Sequence, residues 1–204
     1  MMLGAVREDQ FFLLVSCFDL ERPLLPEDSL ERIRTKLRSD HGDEAKAAVG
    51  VVFKRDKGVL ELLLVKRAEV TGDPWSGDMA FPGGKRCPDD NGLIETVIRE
   101  VYEETNIDLR SGHFLGVMDL MGSTAKRGMT VLPMVFLMDE EPEIRTNEEL
   151  AYYLWTPFRD LVNSRGRALV KNRYDTDVFH VGDDVVWGLT YRMLERLIKL
   201  AIDD

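Results

Sequence analysis

Apolar and polar positions along this chain follow two different periods, and the changes of period mark the elements. Ala47 to Phe53 and Leu60 to Val65 are short, nearly continuous runs of aliphatic and β-branched residues separated by Asp56-Lys57-Gly58, a pattern that predicts a hairpin of two buried strands. Phe114 to Leu120 and Thr130 to Met138 predict two more strands around a Gly-Ser-Thr-Ala-Lys-Arg-Gly loop. Helical spacing appears in three places. Residues 28 to 39 put Leu30, Ile33 and Leu37 on one stripe behind an N-cap at Asp28 or Ser29. Ile94, Val97, Ile98 and Val101 form a second stripe, and Met193, Leu194, Leu197, Ile198 and Ala201 form a third within Trp187 to Ile202. With no internal repeats or low-complexity linkers, this interleaving predicts an α/β (α+β) fold with a mixed β-sheet between helices. Residues 1–46 read as an N-terminal extension carrying a short helix, and 47–204 as the main domain.

The second helix changes the picture from fold to chemistry. Glu100, Glu103 and Glu104 stand at i, i+3 and i+4 and so share a helical face, with the apolar stripe expected on the other side. Like charges so placed repel on a bare helix, a penalty that a hard divalent cation reverses. Arg99 reaches Glu103 at i+4 and reads as an orienting group. Upstream, Gly83-Gly84 permits backbone geometries closed to other residues, letting a carbonyl face a metal or the chain pass close to a phosphate. Glutamates and a carbonyl are oxygen donors, which suits Mg²⁺ or Mn²⁺.

Arg99, Glu100, Val101, Glu103, Glu104 and Ile107, together with the paired glycines, resemble the Nudix hydrolase signature. The interval from Gly84 to Arg99 is one residue longer than the general pattern, Asn91 falls where the motif glutamate would, and Asn106 replaces the late glycine. Asparagine is the next best residue for a left-handed helix end. The longer interval is similar to that of the family's coenzyme A diphosphatase branch. Phe81-Pro82-Gly83-Gly84, Asp90, Thr96 and Arg99-Glu100 fall in its register, as do Leu63-Leu64-Val65-Lys66-Arg67, Asp73-Pro74-Trp75-Ser76-Gly77, Asn147-Glu148-Glu149-Leu150, Trp155-Thr156-Pro157-Phe158 and Trp187-Gly188-Leu189-Thr190. Ala68 stands where serine is usual in that branch, and its Leu-Arg-x-His-like segment is absent.

The resemblance implies a Nudix-type α/β/α sandwich and metal-dependent hydrolysis of a small nucleotide-diphosphate substrate. It implies Gly84, Glu100, Glu103 and Glu104 as metal ligands, and Arg99, Glu103 and Glu149 as catalytic residues, with Glu103 or Glu149 as the base. By their own chemistry Arg67 and the loop pair Lys126-Arg127 could neutralise substrate phosphates, or serve solubility and strand-edge protection. Coenzyme A is the substrate that the branch implies; ADP-ribose, dinucleotides and oxidised nucleoside triphosphates stay open, as does a nucleotide-binding domain without turnover. Trp75 could stack on a base or anchor its loop.

Composition narrows this further. The 204 residues carry a net charge of -10, which argues against a nucleic-acid surface. A small anion can still bind where local cations and a metal set the field. Cys17 and Cys87 are isolated, and His41, His113 and His180 are scattered, so neither a zinc site nor a disulfide scaffold is indicated and a reducing cytoplasm is the expectation. The apolar run Phe11 to Phe18 is shorter than the roughly 20 residues of a membrane span. It reads as a strand or packing arm that could cover a sheet edge or pair two chains as a homodimer.

Overall fold

The computed structural model describes residues 25–40 and 44–203. β1 (Ala47–Asp56) and β2 (Val59–Arg67) form the expected hairpin. At its tip Lys57 and Gly58 both take positive φ, 47° and 85°, the backbone of a two-residue turn whose twist matches the strands it joins. β3 (Met79–Ala80) pairs with β2, and β4 (Gly83–Lys85) pairs antiparallel with the start of β1. β5 (His113–Val117) and β6 (Met121–Gly122) lie on β7 (Thr130–Met138), which runs parallel to β1 from Ala47 opposite Val131 to Lys54 opposite Met138. β8 (Leu150–Pro157) pairs antiparallel with β2, so the sheet is mixed.

The helices among the described residues are α1 (Ser29–Lys36), α2 (Leu93–Thr105), α3 (Phe158–Asn163) and α4 (Gly188–Ile202). Because successive strand side chains face opposite ways, the apolar runs of β1, β2 and β7 serve two cores. Val51, Phe53, Leu62, Leu64 and Val135 pack with Leu30 and Ile33 of α1, Phe158 and Leu161 of α3, and Leu194, Leu197 and Ile198 of α4. Ala48, Val52, Leu63, Val65, Leu132, Met134 and Phe136 pack with Leu93, Val97 and Val101 of α2. The result is a sheet between helical layers, as expected. Gly50 sets the depth of α2: a Cβ there would lie 2.9 Å from Val101 Cγ2.

Several local expectations shift. α1 ends at Lys36, and Asp28 pairs with Arg32 at 3.1 Å instead of capping through its side chain. β5 stops at Val117, short of Leu120. On α2 the buried positions are Leu93, Thr96, Val97, Val101, Glu104 and Thr105, whereas Ile94 and Ile98 are only partly covered. The acidic and buried faces therefore overlap, where the sequence pattern had set them on opposite sides. β8 and a small antiparallel sheet of β9 (Arg165–Val170), β10 (Tyr174–Val181) and β11 (Asp184–Val186) were not anticipated. The run Phe11 to Phe18, with its proposed packing and pairing roles, Cys17 and His41 lie outside the described residues.

Candidate active site

Two glycines bring the β4 turn against α2. Gly83 has φ 144° and sits so close to β1 that a Cβ would come within 2.6 Å of Val49 Cα, so only glycine fits. Its N–H donates to Glu104 Oε2 at 2.8 Å. At Gly84 a Cβ would overlap the Glu100 carboxylate, which shows how tightly that acid is laid on the turn. Asn106 closes α2 in the left-handed conformation at φ 65°, as its place in the motif requires.

The acids of α2 divide into two environments. Glu104 is 4% exposed; burial, reinforced by the nearby Glu100 and Glu149 carboxylates, pushes its carboxyl up to about 7, against the lowering effects of the Gly83 N–H and Arg67. Burial likewise raises Glu100, although Arg99 Nη1 donates to its Oε1 at 2.9 Å. Glu103 stands outside the cavity wall, more than half exposed, and accepts from Arg99 Nη1 at 3.2 Å.

Arg99 is fixed from behind. Its guanidinium forks onto Asp90, Nε to Oδ1 at 3.1 Å and Nη2 to Oδ2 at 3.0 Å, and also donates to the Lys85 carbonyl at 3.3 Å. Asp90 accepts further bonds from the Cys87 N–H and the Thr96 hydroxyl, both at 2.8 Å. The Arg99 guanidinium holds Asp90 far below the usual carboxylate range. Asp90, Thr96 and Arg99 thus form a buried clamp between the β4 turn and α2. Asp90 was visible in the sequence only as a matching position; the Asp-x5-Thr-x2-Arg spacing was the available signal for its role.

Glu100, Glu104 and Gly84 line a cavity of about 530 Å³ with Arg67 and Glu149. Arg67 donates to Asp73 Oδ2 at 2.9 Å, but its buried Nε has no hydrogen-bond partner among the described residues. A buried donor without an acceptor is costly. Glu149 is placed by its backbone: its carbonyl accepts from the Ala68 N–H at 2.8 Å and its N–H donates to Asn147 Oδ1 at 2.9 Å.

Trp75, half-buried, lines the cavity with Trp187. Asp78 ties these distant segments together, accepting from Trp187 Nε1 at 3.0 Å and pairing with Lys171 at 2.9 Å. Lys126 and Arg127 do not line this cavity; they border an adjoining cleft.

Among the described residues no three His, Cys, Asp or Glu side chains converge as a ready-made cage for a metal. Two carboxylates on a glycine turn are nevertheless the kind of donor set that fits Mg²⁺, which retains several waters and takes one or two carboxylates along with substrate phosphates. A cation would offset both the burial that raises Glu104 and the smaller repulsion from Glu100 and Glu149.

A family model described as the NUDIX domain matches residues 44–175. The mouse mitochondrial coenzyme A diphosphatase NUDT8 is 31% identical over 183 residues, covering 84% of this chain and 83% of its own. An uncharacterised Schizosaccharomyces pombe protein is 38% identical over 108 residues, half of this chain but only 33% of that relative. The crystal structure of a MutT protein from Methanosarcina mazei Go1 superposes with a TM-score of 0.52 at 23% identity, covering 79% of this chain and 97% of the other, a likeness of fold.

Proposed function

This chain belongs to the Nudix family and is a hydrolase acting on nucleoside diphosphate derivatives, and from that premise we propose that it cleaves coenzyme A at the diphosphate, giving 3',5'-ADP and 4'-phosphopantetheine. The supporting observation is that Glu100, Glu104, Gly84, Arg67 and Glu149 line one cavity, in a chain similar over most of its length to a relative named as a coenzyme A diphosphatase.

In this reading Glu100, Glu104 and the Gly84 carbonyl would hold Mg²⁺ or Mn²⁺, while Glu103 stays on the exposed side of α2 with Arg99. When bound, the cation lowers the pKa of water and draws charge from phosphoryl oxygens. Arg67, which lines the cavity, supplies positive charge to the diphosphate, with Asp73 holding the guanidinium in place. The Glu149 carboxylate takes the proton of the water that attacks phosphorus in line. Glu149 is preferred over Glu103 as this base because it lines the cavity and Glu103 does not. Arg99 acts as a positioning residue: held by Asp90, it donates to Glu100. A reducing cytoplasmic setting agrees with the free, exposed thiol of Cys87; no helix among the described residues is long and apolar enough to cross a membrane.

The test is a substrate ranking with Mg²⁺ or Mn²⁺ over coenzyme A, ADP-ribose, NADH and nucleoside triphosphates, read by mass spectrometry of products. Coenzyme A should give the highest kcat/KM; a preference for ADP-ribose or a triphosphate would reassign the substrate.

A further inference from the structure

A chain with net charge -10 nevertheless contains a cleft bordered by cations. Lys46, Lys85, Arg86, Lys126 and Arg127 line a concavity of about 630 Å³, and among the described residues no carboxylate lines it. Among those residues, the side chains of Lys46, Lys85, Lys126 and Arg127 have no ion-pair partner. Most basic side chains elsewhere on this surface are paired, Arg34 with Glu31, Arg110 with Asp108 and Arg145 with Glu143 among them.

The cleft is built from three segments locked by backbone hydrogen bonds. The Lys46 N–H donates to the Thr130 carbonyl at 3.1 Å, and the Lys46 carbonyl accepts from the Arg86 N–H at 3.0 Å. β4 sets Lys85 opposite Ala47. The turn carrying Lys126 and Arg127 is closed by Ser123 N–H to Met129 O at 2.8 Å and Met129 N–H to Lys126 O at 3.1 Å. Lys46 Nζ lies against that turn, 3.7 Å from where a Cβ on Gly128 would be. Lys85 and Met129 border both this cleft and the cavity of Glu100 and Glu104, so the two are continuous.

Unpaired cations around one hollow repel each other, and a compact, multiply charged anion reverses the sign of that interaction. A phosphomonoester fits this chemistry better than a carboxylate, having two charges and three acceptor oxygens for Arg and Lys donors. The scissile diphosphate has its own partners in the neighbouring cavity. We propose that this cleft is the subsite for a second, non-scissile phosphate, so that the enzyme selects nucleoside diphosphate derivatives bearing a further phosphomonoester on the nucleoside. The proposal rests on the reading of the adjoining cavity as the site of diphosphate cleavage.

The test uses two ligands that differ by one phosphate, 3',5'-ADP and 5'-AMP, titrated calorimetrically into the full chain and into Lys46→Ser/Arg127→Ser, whose positions are exposed. The wild type should bind 3',5'-ADP at least about 10-fold more tightly, a ratio that collapses toward one in the variant and returns in part with Arg127→Lys. Equal affinities in the wild type, or a ratio unchanged in the variant, would overturn the subsite. Hydrolysis of coenzyme A and its 3'-dephospho form, run in parallel, separates the two readings. Efficient cleavage of both without preference removes the subsite and leaves the hydrolase; a binding ratio with no cleavage of either keeps the subsite and removes the assigned reaction.

Discussion

Glu104 is a carboxyl buried beside two other acids, and its titration carries a consequence for stability. Its pKa stands at about 7 in the folded chain against 4.5 ordinarily, so folding takes up a proton between those values. The folded state is therefore fully favoured below the ordinary value and loses up to about 3 kcal/mol as pH rises through the folded one. In chelator, Glu104→Gln should gain in melting temperature on the wild type between pH 5 and pH 8; parallel profiles would contradict the assignment. Asp90 behaves oppositely, since its side chain is only 5% exposed and is held ionised by Arg99. Asp90→Ala removes the fork on Arg99, which keeps Glu100, Glu103 and the Lys85 carbonyl, and takes the acceptor from the Cys87 N–H and the Thr96 hydroxyl; it should cost about 2 kcal/mol, a fall of roughly 4–8 °C in a thermal melt. The acids of α2 could be read from their spacing, which follows from helix geometry alone. The work done by Asp90 and the split between Glu104 and Glu103 could not, because they depend on which side of α2 meets β4, and the Glu100–Glu104 face lies on the buried side.

α2 is joined to β1 at Gly50 and to the β4 turn at Gly84 by contacts that leave no room for a side chain at either glycine. Gly50→Ala would push Val101 and α2 off β1, with an expected loss of about 1–3 kcal/mol by denaturant unfolding. Gly84→Ala meets the Glu100 carboxylate; it should reduce kcat/KM by about 100-fold or more while shifting stability far less than Asp90→Ala. Retention of activity in Gly84→Ala would show that the turn need not approach Glu100. The strands that sequence bounds most closely are those buried on both faces: β7 runs from Thr130 to Met138 as its apolar pattern indicates, whereas β5, partly exposed, ends at Val117. β8 to β10 escaped notice because they are half-exposed, with Tyr152, Tyr153, Leu169 and Tyr174 open to solvent, so their apolar residues do not mark a single buried face.

At the scale of the whole molecule, the two-sided core follows from the uninterrupted runs of β1 and β2, whereas the cavity does not. Its walls come from the β4 turn, α2, the loop before β8 and the start of α4, whose convergence depends on tertiary ties such as Asp78 to Trp187. The same holds for the basic cleft, where Lys126 and Arg127 were anticipated but Lys46, Lys85 and Arg86 were not. A cation seated in this cradle binds only the folded chain, so Mg²⁺ at about 100 times its Kd should add roughly 2.7 kcal/mol of stability, and Glu100→Gln should abolish most of that gain. The most direct measurement is the hydrolysis of coenzyme A in ¹⁸O-labelled water with Mg²⁺, comparing the wild type with Glu104→Gln by mass spectrometry. Label on one phosphoryl product together with 3',5'-ADP and 4'-phosphopantetheine, lost in the variant and in chelator, is the expected result; intact coenzyme A in the wild type, or undiminished cleavage in Glu104→Gln, would contradict the assignment of this cavity.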